Sequence, residues 1–172
     1  MKRNSAVLLF LLICVTAIGF SDDHKSAITA NPQFDKMKTL DGSWVGGFVE
    51  SGKEYPATTR FMTVSDGSAL MAWLGEGTPE EMVTIFYPDG KDLMGTHYCA
   101  AHNQPRFLAV PGDDPNRVVF KFKDGTNIGP HDGHMAGVTF IFDGPDHHME
   151  DWTYISKQGK ESTSRFDFKR KK

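Results

Sequence analysis

From residue 43 onward, apolar side chains recur at every second position in run after run. Trp44, Gly46 and Phe48 share one parity, as do Val83, Ile85 and Tyr87, then Val118, Phe120 and Phe122, then Ala136, Val138, Phe140 and Phe142, then Phe166 and Phe168. A period of two places alternate side chains on one face of an extended strand. Asp66-Gly67, Asp89-Gly90, Asp124-Gly125, Asp132-Gly133 and Asp143-Gly144, with Gln158-Gly159, punctuate these runs. Glycine accepts the positive φ of a tight reversal and aspartate tolerates it, so each pair reads as a strand reversal. The pattern predicts strands near 43–50, 57–65, 68–75, 81–88, 91–99, 104–110, 117–123, 134–142, 147–156 and 161–169. Only residues 32–40, where Phe34, Met37 and Leu40 fall three apart, read as a helix.

About ten short strands with short links make an all-β chain, and no interval is long enough for repeated crossover helices. A meander with one apolar face either stacks as a sandwich or closes. Closure removes both exposed edges, and no long Greek-key return is visible, so the expectation is an antiparallel up-and-down β-barrel with a short N-terminal helix. The longer glycine-rich connection 124–133 is expected to overhang its mouth.

The first residues have another character. Lys2 and Arg3 precede an apolar run from Ala6 to Ile18 broken only by Thr16, and Ala17-Ile18-Gly19 offers small residues where a signal peptidase reads. Residues 1–19 read as a signal peptide and 20–172 as one domain, placing the mature chain in the periplasm or outside the cell. Ile13 before Cys14 is not small, which disfavours a lipid anchor on that cysteine, and the run is short of the roughly 20 residues needed to span a bilayer.

The full chain of 172 residues carries 19 Lys and Arg against 22 Asp and Glu, a formal charge of −3, and loss of Lys2 and Arg3 makes the product more acidic still. That balance excludes a sequence-blind grip on nucleic acid and disfavours anionic lipid. No nucleic-acid partner and no stable membrane insertion are expected. Of two cysteines only Cys99 survives the cleavage, so an intramolecular disulfide is excluded.

Polar side chains whose parity places them on apolar faces mark a candidate pocket. His97 and Cys99 share a face with Leu93 and Gly95; His134 with Ala136, Val138 and Phe140; His148 and Glu150 with Trp152 and Tyr154; and Arg106 with Leu108 and Val110. A buried carboxylate needs a partner, and an Arg106–Glu150 pair across the barrel would supply one. Asn103 joins the group. The blander reading makes His97 a bonded core histidine, Cys99 a small buried hydrophobe and Glu150 a strand-end residue facing water. Adjacent His147 and His148 point to opposite faces; the tightest metal site available is His97, Cys99 and His134. A thiol beside an imidazole also suggests a nucleophile, but nothing marks an oxyanion hole.

Leu40-Asp41-Gly42-Ser43-Trp44-Val45-Gly46, entering the first strand after a short helix, resembles the Gly-x-Trp entry of the calycin barrels: lipocalins, fatty-acid binders and nitrobindin-like proteins. Gly95-Thr96-His97-Tyr98-Cys99-Ala100-Ala101-His102-Asn103-Gln104-Pro105-Arg106, with Asp132-Gly133-His134-Met135 and Asp151-Trp152-Thr153-Tyr154, resembles a bacterial family of exported lipocalin-like proteins of unknown function. The resemblance implies a ten-stranded barrel with an internal cavity and a tryptophan packed across its closed end. Nitrobindin-like haem proteins present a histidine late in the barrel, whereas Ser162 to Phe168 contains none, so no cofactor is expected.

These readings converge on a non-enzymatic barrel binding a small, partly apolar molecule. Trp152, Tyr154, Phe120 and Phe140 would form apolar wall, His97, Arg106 and Glu150 would orient a polar or anionic end of the ligand, and Cys99, Asn103 and His134 complete the lining. The alternatives are an isomerase or hydrolase using His97, Cys99 and Glu150, a metal-binding protein, or an accessory protein with a filled barrel.

Overall fold

The computed structural model describes residues 30–172; the expected signal peptide and Cys14 lie outside the described residues. A short helix, α1 (Pro32–Lys38), precedes ten strands: β1 (Gly42–Glu50), β2 (Lys53–Val64), β3 (Ala69–Leu74), β4 (Met82–Asp89), β5 (Asp92–Tyr98), β6 (Gln104–Val110), β7 (Arg117–Thr126), β8 (His134–Phe142), β9 (His147–Ile155) and β10 (Glu161–Arg170). Each strand pairs antiparallel with its neighbour in sequence, and β1 pairs with β10 from Trp44–Arg170 to Phe48–Phe166. The meander is a closed barrel, as its alternation predicts.

Two boundaries differ from the sequence pattern. Strand β2 begins at Lys53 and carries Pro56, exposed on the outer wall opposite Gly47. The pair Asp124-Gly125 is no reversal but lies inside β7, where Arg106 of β6 grips Asp124 through two hydrogen bonds of 2.5 and 2.8 Å. The chain turns later, through 127–133, with Asn127 in the left-handed region at φ 56°. An Asp-Gly pair favours a turn locally, but a cross-strand ion pair and ladder hydrogen bonds outweigh that preference here.

One end of the barrel is sealed by α1. Asn31 caps it, its side chain accepting from the Phe34 N–H at 2.9 Å, and Pro32 begins the helix where no N–H is needed. Phe34, Met37 and Leu40 are buried beneath it. Above them Trp44, also buried, donates its indole N–H to the Leu40 carbonyl at 2.7 Å. The guanidinium of Arg170 lies 4.1 Å from the Trp44 ring and donates to the carbonyls of Asp41, Thr39 and Pro145 at 2.7, 2.9 and 3.1 Å. First strand, helix exit and last strand are thereby tied together.

Close strand approach needs glycine beside that tie. A Cβ at Gly46 would overlap the backbone carbonyl of Asp167 in β10, and one at Gly47 the carbonyl of Tyr55 in β2. The half of the interior next to α1 is filled by aromatic rings. Phe86 packs against Phe120 at 4.9 Å and Phe140 at 5.5 Å, and Phe61, Phe107 and Phe168 are fully enclosed. Phe120 and Phe140, expected to wall a cavity, fill the core instead.

Replacing Arg170 by Ala removes three hydrogen bonds from a charged donor together with the ring contact, and is expected to lower stability by about 2–4 kcal/mol. Arg170→Lys, which keeps charge but loses the planar fork, should fall between the two. Urea denaturation midpoints of the three proteins check this.

Candidate functional site

Along β9 the inward positions read His148, Glu150, Trp152 and Tyr154, running from the α1 end toward the open end. His148 sits at the closed end, its ring edge-on to Trp44 at 4.3 Å. Glu150 is 1% exposed, and its two oxygens are taken by His148 Nε2 at 3.0 Å and by the Trp152 indole N–H at 2.7 Å. The carboxylate is therefore held by its own strand, and no arginine crosses the barrel to meet it.

Trp152 continues the line to β5. Its ring packs 5.0 Å from His97, and His97 Nδ1 shares a hydrogen bond of 2.8 Å with the Thr84 hydroxyl of β4. Burial pushes the imidazole down to about 4, so it is neutral under ordinary conditions. Its Nε2 has no partner, and among the described residues only Asn103 Oδ1 and His148 Nδ1 share that condition as enclosed side-chain polar atoms. Asn103 ties two open-end loops together by donating to the Gly133 carbonyl at 2.9 Å. A Cβ at Gly133 would push aside the hydroxyl of half-buried Tyr154, so the glycine lets the tyrosine pack against this loop.

The structure thus brings His97, Asn103, Glu150, Trp152 and Tyr154 inside the barrel. It places the other predicted residues elsewhere. Arg106 points outward to Asp124, because Pro105, Phe107 and Ala109 form the buried face of β6. His134 also faces outward, its ring 4.6 Å from exposed Phe122. Between Met135 and Gly137 the β8–β9 register slips by one residue, so the inward set Val138 and Phe140 continues through Met135 rather than Ala136 and His134.

Cys99 lies just past β5 in a turn closed by hydrogen bonds between Cys99 and Asn103 and between His102 and Cys99. Burial raises its thiol pKa, a backbone hydrogen bond from Ala101 opposing the effect in part. The imidazole that would activate it is bonded to Thr84 through Nδ1 and leaves Nε2 without a partner, so no thiol–imidazole pair forms. The His97, Cys99 and His134 metal site is not assembled, and among the described residues no group of three potential ligands forms one.

The open end holds space. A cavity of about 620 Å³ is bounded by the inward side chains Phe48 (β1), Ala57 (β2), Leu74 (β3), Met82 (β4) and Phe166 (β10), and by the β3–β4 loop from Gly75 through Thr78, Pro79 and Glu80. Phe48 and Phe166 pack at 4.8 Å. Met82 and Leu74 pair one rung beyond Thr84 and Ala72, and Phe166 pairs with Glu150, so this apolar mouth adjoins the Thr84, His97 and Glu150 layer. Sequence parity already put Phe48 and Phe166 on inward faces; which end of the barrel stayed open was not written in it.

A scan against protein-family models finds no match, and no curated protein matches the chain. Solved structures do. Rv2717c from M. tuberculosis superposes with a TM-score of 0.58 at 12% identity, over 84% of this chain and 99% of its own. A DUF3598-family protein of unknown function from Nostoc punctiforme gives 0.54 at 12% identity over 78% of this chain; the match spans 48% of that longer protein. Such likeness speaks for the fold alone.

His97 makes stability pH-dependent. Its folded value of about 4 lies below the ordinary 6.5, so between those limits the unfolded chain binds the extra proton, and stability present above pH 6.5 is lost as pH falls toward 4. The loss from this residue should approach about 3 kcal/mol. In urea titrations at neutral and mildly acidic pH, His97→Gln should show a correspondingly shallower decline than wild type.

Proposed function

We propose that this protein is an exported, non-enzymatic barrel that binds a small, largely apolar molecule in its open mouth. The observation that carries the reading is the cavity of about 620 Å³ walled by Phe48, Ala57, Leu74, Met82 and Phe166. Its volume is in the range of small-molecule sites, and its wall is mostly hydrocarbon and aromatic ring with few polar groups. Water held against such a wall is readily displaced by an apolar ligand.

Export is supported by the basic start at Lys2 and Arg3 and the apolar run behind it. The outer wall suits an aqueous compartment, with bidentate pairs Arg60–Glu76, Arg106–Asp124 and Arg165–Asp151 projecting from it. The filled lower half leaves the ligand to the mouth. This moves the expected site away from Arg106 and His134 and toward β1, β2, β4 and β10.

The neutral fluorophore N-phenyl-1-naphthylamine, which brightens in apolar surroundings, tests the reading. Wild type should bind it saturably, one molecule per barrel. Ala57→Trp, which fills the mouth, should weaken binding by about tenfold or more while circular dichroism and the melting temperature stay near wild type. Failure of wild type to saturate, or unchanged binding by a folded Ala57→Trp, overturns it.

A further inference from the structure

We propose that the mouth selects by charge, taking cationic and neutral apolar ligands in preference to anionic ones; this rests on the binding site proposed above. Among the side chains lining the cavity, Glu80 alone is ionisable, the remainder being apolar apart from the hydroxyls of Thr58 and Thr78. Its loop carries two more carboxylates, both engaged. Glu76 is held by Arg60 through bonds of 2.7 and 2.6 Å, and Glu81 accepts from the Gly77 N–H at 2.7 Å. Among the described residues Glu80 has no cationic partner.

Among the described residues no cation lines the cavity to receive an anionic head. Arg60 is spent on Glu76 and stacked on Trp73 at 3.7 Å; Arg106 is on the outer wall; Arg170 is at the opposite end. The ammonium of Lys53 sits 4.9 Å over Tyr55, which itself stacks on the cavity-wall ring of Phe48 at 5.3 Å. The layer below offers neutral His97 and the Glu150 carboxylate. A carboxylate-headed ligand would bring a second negative charge beside Glu80 with nothing to offset it. An ammonium-headed one meets the Glu80 carboxylate at the rim, with the apolar wall left for its chain.

Displacement of N-phenyl-1-naphthylamine by decylammonium, decanol and decanoate, matched in chain length, reads this preference at neutral pH and low ionic strength. Decylammonium should displace about tenfold better than decanoate with decanol between them, the gap shrinking as salt is added because the rim is solvent-exposed. Glu80→Gln should cut the gap to about threefold without moving decanol, and Glu80→Lys should invert the order. Saturable probe binding with decanoate equal to or better than decylammonium overturns the charge preference and leaves the binding site standing. Absence of saturable probe binding overturns the site and the preference together.

Discussion

Pairing of β1 with β10 is the constraint on which the rest of the barrel depends, because without it the meander is an open sheet with two unpaired edges and a half-exposed apolar face. The joined residues are far apart in the chain: Arg170 and the Asp41 carbonyl it bonds are separated by 129 positions. Closing so long a loop costs chain entropy, and the return comes from contacts made only in the closed state. Trp44 is enclosed, Arg170 is satisfied by three carbonyls, and α1 seals the end beneath them. Gly46 and Gly47 let the strands approach closely enough for the ladder to form.

Closure also gives the interior two unlike halves. Beside α1 the rings of Phe61, Phe86, Phe120, Phe140 and Phe168 leave little but core. Toward the open end the inward residues become smaller or flexible, with Ala57, Leu74 and Met82 around Phe48 and Phe166, and the cavity opens. Between them lies a thin polar layer whose members are mostly satisfied from within. Glu150 is hydrogen-bonded to His148 and Trp152 of its own strand, which makes its burial tolerable, and loss of either would leave an enclosed carboxyl oxygen without a partner. His97, buried beside Trp152, stays neutral.

The candidate site was legible in part. Parity along 147–155 correctly put His148, Glu150, Trp152 and Tyr154 on one inward face, and parity along 92–98 did the same for Leu93, Gly95 and His97. It failed for His134, because a single extra residue between Met135 and Gly137 reverses every side chain on one side of the irregularity. It failed differently for Arg106. Residues 104–110 are apolar on both faces, so alternation did not say whether Phe107 or Leu108 turned inward, and Arg106 followed the outward set. Asp124-Gly125 misled for a related reason: its partner across the sheet, Arg106, is distant in sequence.

By itself the sequence determined the all-β class, ten strands close to their observed limits, the short helix before them and the likelihood of closure over stacking. Those follow from period-two alternation and turn residues, which act over a few neighbouring positions. Only the tertiary structure decided which face of an ambiguous strand turned inward, which donors met Glu150, which end α1 sealed and therefore where the open space lies. These are relations between strands, set by register, bulges and closure, and a local pattern does not carry them.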